Sequence, residues 1–441
     1  MRVLLITDEI WNDRVFGNNV LQNWFEGMPD VEIAQICATP GRPFNTVCTR
    51  YFQLTDAMML RSLLGPKAGR AFTTSIETMA QKPQMRNYIA ESKFYTFMKK
   101  ISGSPVKLAR ELLWNIGRLD RKALDKFVSN FNPDVVFCPR LLTWKLMRLE
   151  KAVAKITRAP FIAFTGDDEA SFKEYCFDPL FWLNRFAFHK ALAKHSKLYS
   201  HYFMHSADQV EEYRKDYGVS ASTLFKCGSF PERFSPKPIR EPIRMIYAGR
   251  LYCNRWKSLA EIGKALRVIN QDRERIVLDI YTQDILTDEQ SIVLSPENFI
   301  FLKGSVNQQQ LRDIYKNADI ALHVESLDKK FRLATRVSFS TKIIDLMAST
   351  CAILAVCWEQ HTGYKYLKDN DAAFYIGDYT DLLPTLTNIC NNPSLIQEYA
   401  QKAYECGKKN HAKTKIQRQL LDAFTEVIKS KYHDSKQFNQ V

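Results

Sequence analysis

Residues 243–266, IRMIYAGRLYCNRWKSLAEIGKAL, decide the fold of this chain. A short apolar run up to Gly249 is typical of a buried strand, and after a basic loop the apolar residues recur at helical spacing. A glycine and cations at a helix N-terminus suit a phosphate group, because free N–H groups, the helix dipole and the positive charges all attract negative charge. The stretch therefore predicts a strand–loop–helix unit that binds a phosphorylated ligand.

Three cations follow the strand in this loop: Arg250, Arg255 and Lys257. An arginine can grip two phosphate oxygens, whereas a lysine supplies a compact charge. We predict that Gly249 lets the ligand approach and that Arg250 and Lys257 hold its phosphates. Arg255 remains an alternative to Lys257 as the second ligand. The other interpretation is that these residues are solvated loop cations.

The order strand, loop, helix recurs along the chain. Strands are predicted at residues 2–7, 31–38, 135–138, 160–164, 243–248, 277–281, 299–302, 319–324 and 352–357. Helices are predicted at residues 142–156, 308–317 and 341–348, and two polar helices at 394–429. Such alternation predicts parallel sheets with helices on both faces.

The richest run of prolines marks the predicted domain boundary. Residues 231–242, PERFSPKPIREP, have little apolar content and read as a linker. We therefore predict an N-terminal Rossmann-like domain at 1–230, with a basic helical insertion at about 56–130. A C-terminal Rossmann-like domain follows at 243–410, and a helix and tail at 411–441. The expected architecture is two doubly wound parallel-sheet domains that face a central cleft.

Composition places the chain among ordinary globular proteins, with 441 residues, 46% hydrophobic and 25% charged. No apolar run approaches the roughly 20 residues of a membrane span. The start, MRVLLITDEIW, lacks the features of a signal peptide, so we expect a cytoplasmic protein. The ten cysteines form no C-x-x-C pair and are expected to be reduced thiols rather than disulfides or zinc ligands.

Much of the formal charge of +14 is local. Residues 61–126 carry fourteen Lys and Arg against five Asp and Glu, with aromatic residues between them. Such a surface suits solvent, an anionic membrane or nucleic acid. No helix-turn-helix, RNP-type or zinc-finger pattern supports nucleic acid, so we predict none as a partner. A solvated face and a peripheral membrane surface both stay open.

Several motifs resemble one known family in the order in which they occur. In the second half these are YAGRL with Lys257, FLKGSV at 301–306, LRDIYKNADIALHV at 311–324, STKIIDLMAS at 340–349 and CAILAV at 351–356. Together they resemble the nucleotide-sugar-binding half of GT-B glycosyltransferases, particularly retaining glycosyltransferase family four. The first half fits more loosely, through RVLLITDE, PDVVFCPR at 133–140 and APFIAFTGDD at 159–168.

The resemblance implies a role for the stretch VSFSTKIID. The family carries two glutamates eight positions apart, of which the second binds the ribose. Here Asp345 takes the second place, whereas Val337 stands in the first. Some relatives carry a Ser-Lys pair at the helix start, which Ser340, Thr341 and Lys342 resemble. Ser340 is also suited to cap the helix, and the alternative for Asp345 is a solvent-facing charge.

The same resemblance gives nucleotide-sugar roles to two turns. Gly304 and Val306 would meet the base, and Gly17 and Asn18 would lie near the sugar and diphosphate. Ordinary turn and capping roles remain alternatives for these residues. Asp168 is a weaker candidate for contact with the acceptor or sugar. The family needs no essential metal because basic residues neutralise the diphosphate, so neither a metal nor a cofactor is expected.

The sequence thus predicts a hexosyltransferase that moves a sugar from a nucleotide-sugar donor to a glycan or lipid-linked hydroxyl acceptor, with retention. Surface polysaccharide or glycolipid assembly at the inner face of a membrane is the expected setting. Arg250 and Lys257 would be the catalytic cations, since they stabilise the departing diphosphate. The alternatives are a sugar-nucleotide epimerase of the same fold, and a degenerate protein that binds the nucleotide sugar without catalysis.

Overall fold

The structure is a computed structural model that describes residues 1–13, 20–75 and 104–438, and in the last range the side chains of 109–431. The chain divides into two compact units. The first contains Met1–Phe172, Phe177–Leu224 and Ile416–Val441, and the second contains Lys173–Cys176 and Phe225–Lys415.

The first unit is built on an eight-stranded sheet in the order β4-β3-β2-β1-β5-β6-β7-β8. Every neighbouring pair is parallel except β3 and β4, which are antiparallel. The strands are β1 Arg2–Thr7, β2 Glu32–Cys37, β3 Arg50–Gln53, β4 Arg70–Thr73, β5 Val135–Pro139, β6 Phe161–Thr165, β7 Tyr199–Met204 and β8 Ala221–Thr223. Because β1 lies between β2 and β5, the strand order reverses there, which is the switch point of a doubly wound sheet.

Helices connect these strands and bury apolar faces against them. They are α1 Val20–Phe25, α2 Asp56–Arg61, α3 Ser104–Ile116, α4 Arg121–Phe131, α5 Trp144–Ala154, α6 Pro179–His195 and α7 Ala207–Tyr217. The core of this unit includes Leu4, Ile36, Val136 and Leu146, none of them exposed.

The second unit has a six-stranded, all-parallel sheet in the order β11-β10-β9-β12-β13-β14. Its strands are β9 Ile243–Ala248, β10 Ile276–Tyr281, β11 Ile300–Gly304, β12 Ile320–Val324, β13 Ala352–Val356 and β14 Phe374–Ile376. Its helices are α8 Arg255–Ile269, α9 Asp288–Val293, α10 Gln308–Lys316, α11 Lys329–Ala334, α12 Lys342–Ala348, α13 Thr362–Asp369, α14 Leu382–Asn391 and α15 Ser394–His411.

Both faces of the second sheet are covered, as a parallel sheet requires. Met245 and Tyr247 pack into one core, whereas Ile246 packs into a second core on the opposite face. Successive side chains of a strand point to opposite faces, so the apolar residues of β9 serve both cores. The order reverses between β9 and β12, which places the carboxyl ends of these two strands at the switch point.

The last helix, α16 Lys413–Phe438, belongs to the first unit from Ile416 onward. Phe424 is fully buried there, with its ring centroid 5.3 Å from that of Phe137 and 6.5 Å from that of Phe25. The helix and tail expected at 411–441 are helical from Lys413 to Phe438. The units also differ from the expected boundary, because the Pro-rich residues 231–242 group with the second unit.

The basic insertion predicted at about 56–130 lies partly outside the described residues, which omit 76–103. Its described part contains α2, α3 and α4, and also the strand β4, which sequence periodicity missed. All ten cysteines lie within the described residues and none forms a disulfide. No helix among the described residues is long and apolar enough to cross a membrane.

Candidate functional site

Gly249 and Lys342 meet at the carboxyl end of β9. The Lys342 ammonium donates a hydrogen bond to the Ala248 carbonyl at 3.2 Å. A Cβ built on Gly249 would lie only 2.5 Å from Lys342 Nζ and 3.0 Å from Tyr247 Oη. Position 249 therefore has to be glycine for the ammonium to lie against the strand end.

Lys342 carries a charge that its surroundings disfavour. Its pKa is lowered from the ordinary 10.5, first because the ammonium is desolvated and then because the Arg255 guanidinium repels it. The residue as a whole is exposed, so the desolvation applies to the ammonium rather than to the whole side chain. An anion bound near two cations that repel each other gains electrostatic energy from both, so this end of β9 suits a negatively charged ligand.

Arg255 is the first residue of α8, and Glu325 follows β12 directly. The guanidinium donates two hydrogen bonds to the carboxylate, at 2.9 Å from Nε and 2.7 Å from Nη2. Only 13% of the Arg255 side chain and 6% of the Glu325 side chain are exposed. A bidentate pair of this kind fixes the orientation of the arginine. Gly249, Arg255, Glu325 and Lys342 are called the strand-end cluster below.

The structure gives Arg250 and Lys257 separate carboxylate partners. Arg250 forms an ion pair with Asp284, and about half of the arginine side chain, 52%, is exposed. Lys257 lies 3.4 Å from Asp328 and is 47% exposed. Arg255, which the sequence left as an alternative to Lys257, is the cation whose charge acts on Lys342. The role assigned to Arg250 and Lys257 stays a prediction.

The stretch 340–345 differs in detail from its predicted arrangement. Helix α12 begins at Lys342, with Thr341 in the N-cap position and no side-chain capping bond, so the predicted cap at Ser340 is wrong. Asp345 is half exposed and receives two hydrogen bonds from Lys226, at 2.7 and 2.9 Å. Val337, at the place of the missing glutamate, is buried.

Gly304 ends β11 with a φ of +76°, a left-handed conformation that favours glycine. No atom lies within 4 Å of the position that its Cβ would take, so backbone geometry rather than crowding selects glycine. Val306 follows in the same turn and is half-buried. The turn is open to a ligand, but its predicted contact with a base stays a prediction.

The candidates in the first unit have other outcomes. Gly17 and Asn18 lie outside the described residues. Asp168 accepts hydrogen bonds from the Ser171 N–H at 2.9 Å and from Arg185 Nη2 at 2.8 Å, and its side chain is 4% exposed. Its carboxylate thus has internal partners, and contact with an acceptor stays a prediction.

Sequence reasoning missed Glu325. The available signal was its position, since an acidic residue follows directly on the buried strand Ile320–Val324, where a parallel sheet presents its functional groups. The missing information was the partner, because Arg255 is 70 residues away in the sequence. The family pattern placed the carboxylate that accompanies Asp345 at position 337, where this chain has valine.

The sequence matches no protein-family profile and no curated protein. Two solved structures are similar over nearly their whole length. Sucrose-phosphate synthase from Thermosynechococcus elongatus has a TM-score of 0.59 at 11% identity, over 98% of this chain and 100% of that one. HepE from Anabaena, solved with UDP, has a TM-score of 0.60 at 10% identity, over 97% and 100%. Both are GT-B glycosyltransferases. The chain has the GT-B fold.

The predicted fold class is thereby confirmed, with two doubly wound units of the GT-B type. TarM is a further GT-B neighbour, with a TM-score of 0.50 and 14% identity over 70% of this chain. The chain spans 58% of TarM, less than two thirds of its length. At these identities the likeness concerns the fold, and the chemistry of this GT-B protein has to be argued from its own residues.

Proposed function

We propose that the protein is a glycosyltransferase that moves a sugar from a nucleotide-diphosphate donor to a hydroxyl acceptor. The strand-end cluster carries this proposal, because it holds Lys342 against Gly249 and beside Arg255 at the switch point of the second sheet. Ligands of open α/β sheets bind outside the carboxyl ends of the strands at such a point. HepE, a protein of the same fold, was solved with UDP, which supports a uridine nucleotide.

The proposed chemistry is stabilisation of a leaving group. Cleavage of the glycosidic bond leaves negative charge on the donor's diphosphate, and cations already in place lower the barrier. Lys342 and Arg255 supply two charges, while Glu325 fixes the direction of the guanidinium. These cations support a transfer that needs no divalent metal at the diphosphate. Arg250, in the loop between β9 and α8, and Lys257, in the first turn of α8, would add positive charge near the diphosphate.

Retention is the stereochemical course we propose, on the basis of the resemblance to family four. The acceptor would attack from the face that the diphosphate leaves, and a donor phosphate oxygen would take the acceptor's proton. The contribution of the protein is then charge and position rather than a paired acid and base. A hexose donor and an acceptor from surface polysaccharide or glycolipid assembly complete the proposal.

A panel of nucleotide sugars tests it. We expect one donor to raise the melting temperature, since a ligand that binds only the folded state stabilises it. That donor should then be consumed in single-turnover reactions at the same rate with and without added Mg²⁺. Binding without consumption would indicate a non-catalytic binder, and conversion to an epimeric nucleotide sugar would indicate an epimerase. No shift with any donor would refute the proposal.

A membrane-bound acceptor is the finer part of this proposal, and α6 supports it. Its outward residues Leu180, Leu183 and Phe186 are 60%, 67% and 51% exposed, although Phe188 and Leu192 of the same helix are buried. Lys190 follows on the exposed side, with its ammonium 4.3 Å from the centre of the Phe186 ring. Exposed apolar residues beside a lysine suit the surface of an anionic bilayer. We propose that the protein acts from the cytoplasmic side at the inner face of a membrane.

Vesicle binding tests this surface. Leu183→Glu with Phe186→Glu should weaken binding to vesicles that contain phosphatidylglycerol by about 100-fold, because two apolar side chains no longer enter the bilayer. Binding of the unchanged protein should also weaken as salt is raised, since lysines contribute. Sedimentation with vesicles measures both.

The matched control is Ile292→Glu, which changes another apolar residue, 71% exposed, on α9 of the second unit. It should bind vesicles as the unchanged protein does. Equal binding by the α6 double variant and the unchanged protein would exclude this surface, without bearing on donor turnover.

A further inference from the structure

Three buried side chains with metal-binding atoms converge behind the strand-end cluster. His323 lies in β12, Cys357 follows β13, and His361 precedes α13. One ligand atom from each lies within 4.8 Å of the other two. Their exposed fractions are 4%, 0% and 1%. We call these residues the His-Cys-His triad.

The imidazoles of the triad have unused nitrogens. Neither His323 Nε2 nor His361 Nε2 has a hydrogen-bond partner among the described residues. Buried polar atoms in proteins are almost always paired, so two orphans in one cluster need an explanation. Space is also kept open next to His323, because a Cβ on Gly363 would lie 3.2 Å from Nε2 and glycine has none.

We propose that the triad binds a zinc ion. Two imidazoles and a thiolate are the ligand types that Zn²⁺ prefers, and three protein ligands leave a fourth position free. Tetrahedral bonds of about 2.0 Å to nitrogen and 2.3 Å to sulfur place ligand atoms roughly 3.5 Å apart, so the side chains must close by about 1 Å. This site goes beyond the proposed transfer reaction and takes no part in its charge stabilisation.

The electrostatics around the triad fit neutral ligands. Desolvation, together with repulsion from His361, Arg255 and Lys342, lowers the pKa of His323 well below its ordinary value, and desolvation also lowers that of His361. Burial, and then the charge of Glu325, raise the pKa of the Cys357 thiol well above its ordinary value, so a thiolate forms only as a metal displaces the proton.

Zinc binding would displace one proton and move another. The Cys357 thiol releases its proton to solvent as the sulfur–zinc bond forms. His361 Nδ1 now accepts the Gly363 N–H at 3.0 Å, and ligation through Nε2 would put the ring proton on Nδ1 instead. One capping hydrogen bond is thus exchanged for a metal bond. The ion would join the ends of β12 and β13 to the start of α13, and so stiffen the strand that presents Glu325.

Metal analysis tests the site without any assay of activity. The protein purified without chelator should contain stoichiometric zinc after gel filtration. After removal of zinc, added Co²⁺ should give the visible bands of a tetrahedral site and a thiolate-to-cobalt band in the near ultraviolet. Cys357→Ser should abolish the near-ultraviolet band, and His361→Asn, which keeps a capping oxygen, should weaken Co²⁺ binding at least tenfold.

Cys351→Ser is the matched control, since Cys351 is equally buried at the other end of β13. It should keep both zinc and the cobalt spectrum. Zinc that is retained in Cys357→Ser would show adventitious binding elsewhere and overturn the proposal. Because a variant can fail to fold, the unchanged protein provides a second test: less than about one tenth of an equivalent of zinc, with no cobalt spectrum, also overturns it.

Discussion

Lys342→Met should lower kcat/KM for donor consumption by about 100- to 1,000-fold, the usual loss when one preorganised charge or donor at a developing anion is removed. Methionine keeps the length of the side chain and removes the charge that lies over Gly249. The folded state should not suffer, because the ammonium of the unchanged protein is already disfavoured by desolvation and by Arg255. Steady-state kinetics with the donor found in the panel measures the effect.

The pH dependence of Lys342 gives the same prediction a second readout. Its pKa is lowered in the folded protein, so the ammonium loses its proton at a pH below the ordinary 10.5. The positive charge that stabilises the diphosphate is lost with it. The alkaline limb of kcat/KM reports the free enzyme and should therefore fall below that value. Lys342→Arg should retain part of the activity and shift the limb upward, because arginine stays charged.

Variants of two further lysines provide a control and a test of the competing assignment. Lys264→Met removes an exposed lysine of α8 that pairs with Glu261 three residues earlier, and should leave turnover unchanged. Lys257→Met tests the prediction made from sequence. Full activity in Lys342→Met, together with a large loss in Lys257→Met, would mean that Lys257 stabilises the diphosphate. That result would contradict the role that we assign to Lys342.

The local sequence pattern predicted some strands of the fold and missed others. The strand Ile243–Ala248 has its predicted bounds, because an apolar run ended by glycine depends only on local pattern. The strands β3 and β4 were missed because each is only four residues long, too short to show a clear period. Their pairing, from Arg50 opposite Thr73 to Gln53 opposite Arg70, is a tertiary contact that no local period reveals.

The site was predictable only in part, for the same reason. Gly249 and Lys342 were named from motifs, yet their contact joins positions more than ninety residues apart. The sequence favoured Lys257 over Arg255, but Cys253 and Asn254 both adopt left-handed conformations, with φ of 56° and 57°, and α8 starts directly after them. The loop geometry, which the sequence does not state, brings Arg255 to Glu325.

Glu150→Gln should cost about 3 to 5 kcal/mol of stability in the first unit, the largest structural effect we expect. Glu150 on α5 accepts hydrogen bonds from Arg140 Nε at 2.8 Å and from the Tyr199 hydroxyl at 2.5 Å, and lies 2.7 Å from His195 Nε2. Neither Glu150 nor Arg140 has more than 1% of its side chain exposed. The amide would leave the buried guanidinium with only the more distant carboxylate of Glu169, 3.6 Å away, as its counter-charge.

Lowering the pH should reduce the difference in stability between the unchanged protein and Glu150→Gln. Burial alone would raise the pKa of Glu150, but Arg140 and His195 overcome it and hold the pKa at about 2, against an ordinary 4.5. A depressed carboxyl pKa gives stability that is complete above about pH 4.5 and is lost as the pH falls toward 2. Native-state hydrogen exchange in Val135–Pro139 and Trp144–Ala154 measures the opening free energy of this region.

The matched control for this network is Glu211→Gln, an exposed glutamate of α7, which should change the opening free energy by less than about 0.5 kcal/mol. A Glu150→Gln protein that opens as rarely as the unchanged one at neutral pH would mean that Glu169, Tyr199 and the amide satisfy Arg140 without the charge of Glu150. A difference that grows on acidification would mean that the folded pKa of Glu150 is raised rather than lowered, because only a carboxyl that is charged less readily in the folded state gains stability from acid.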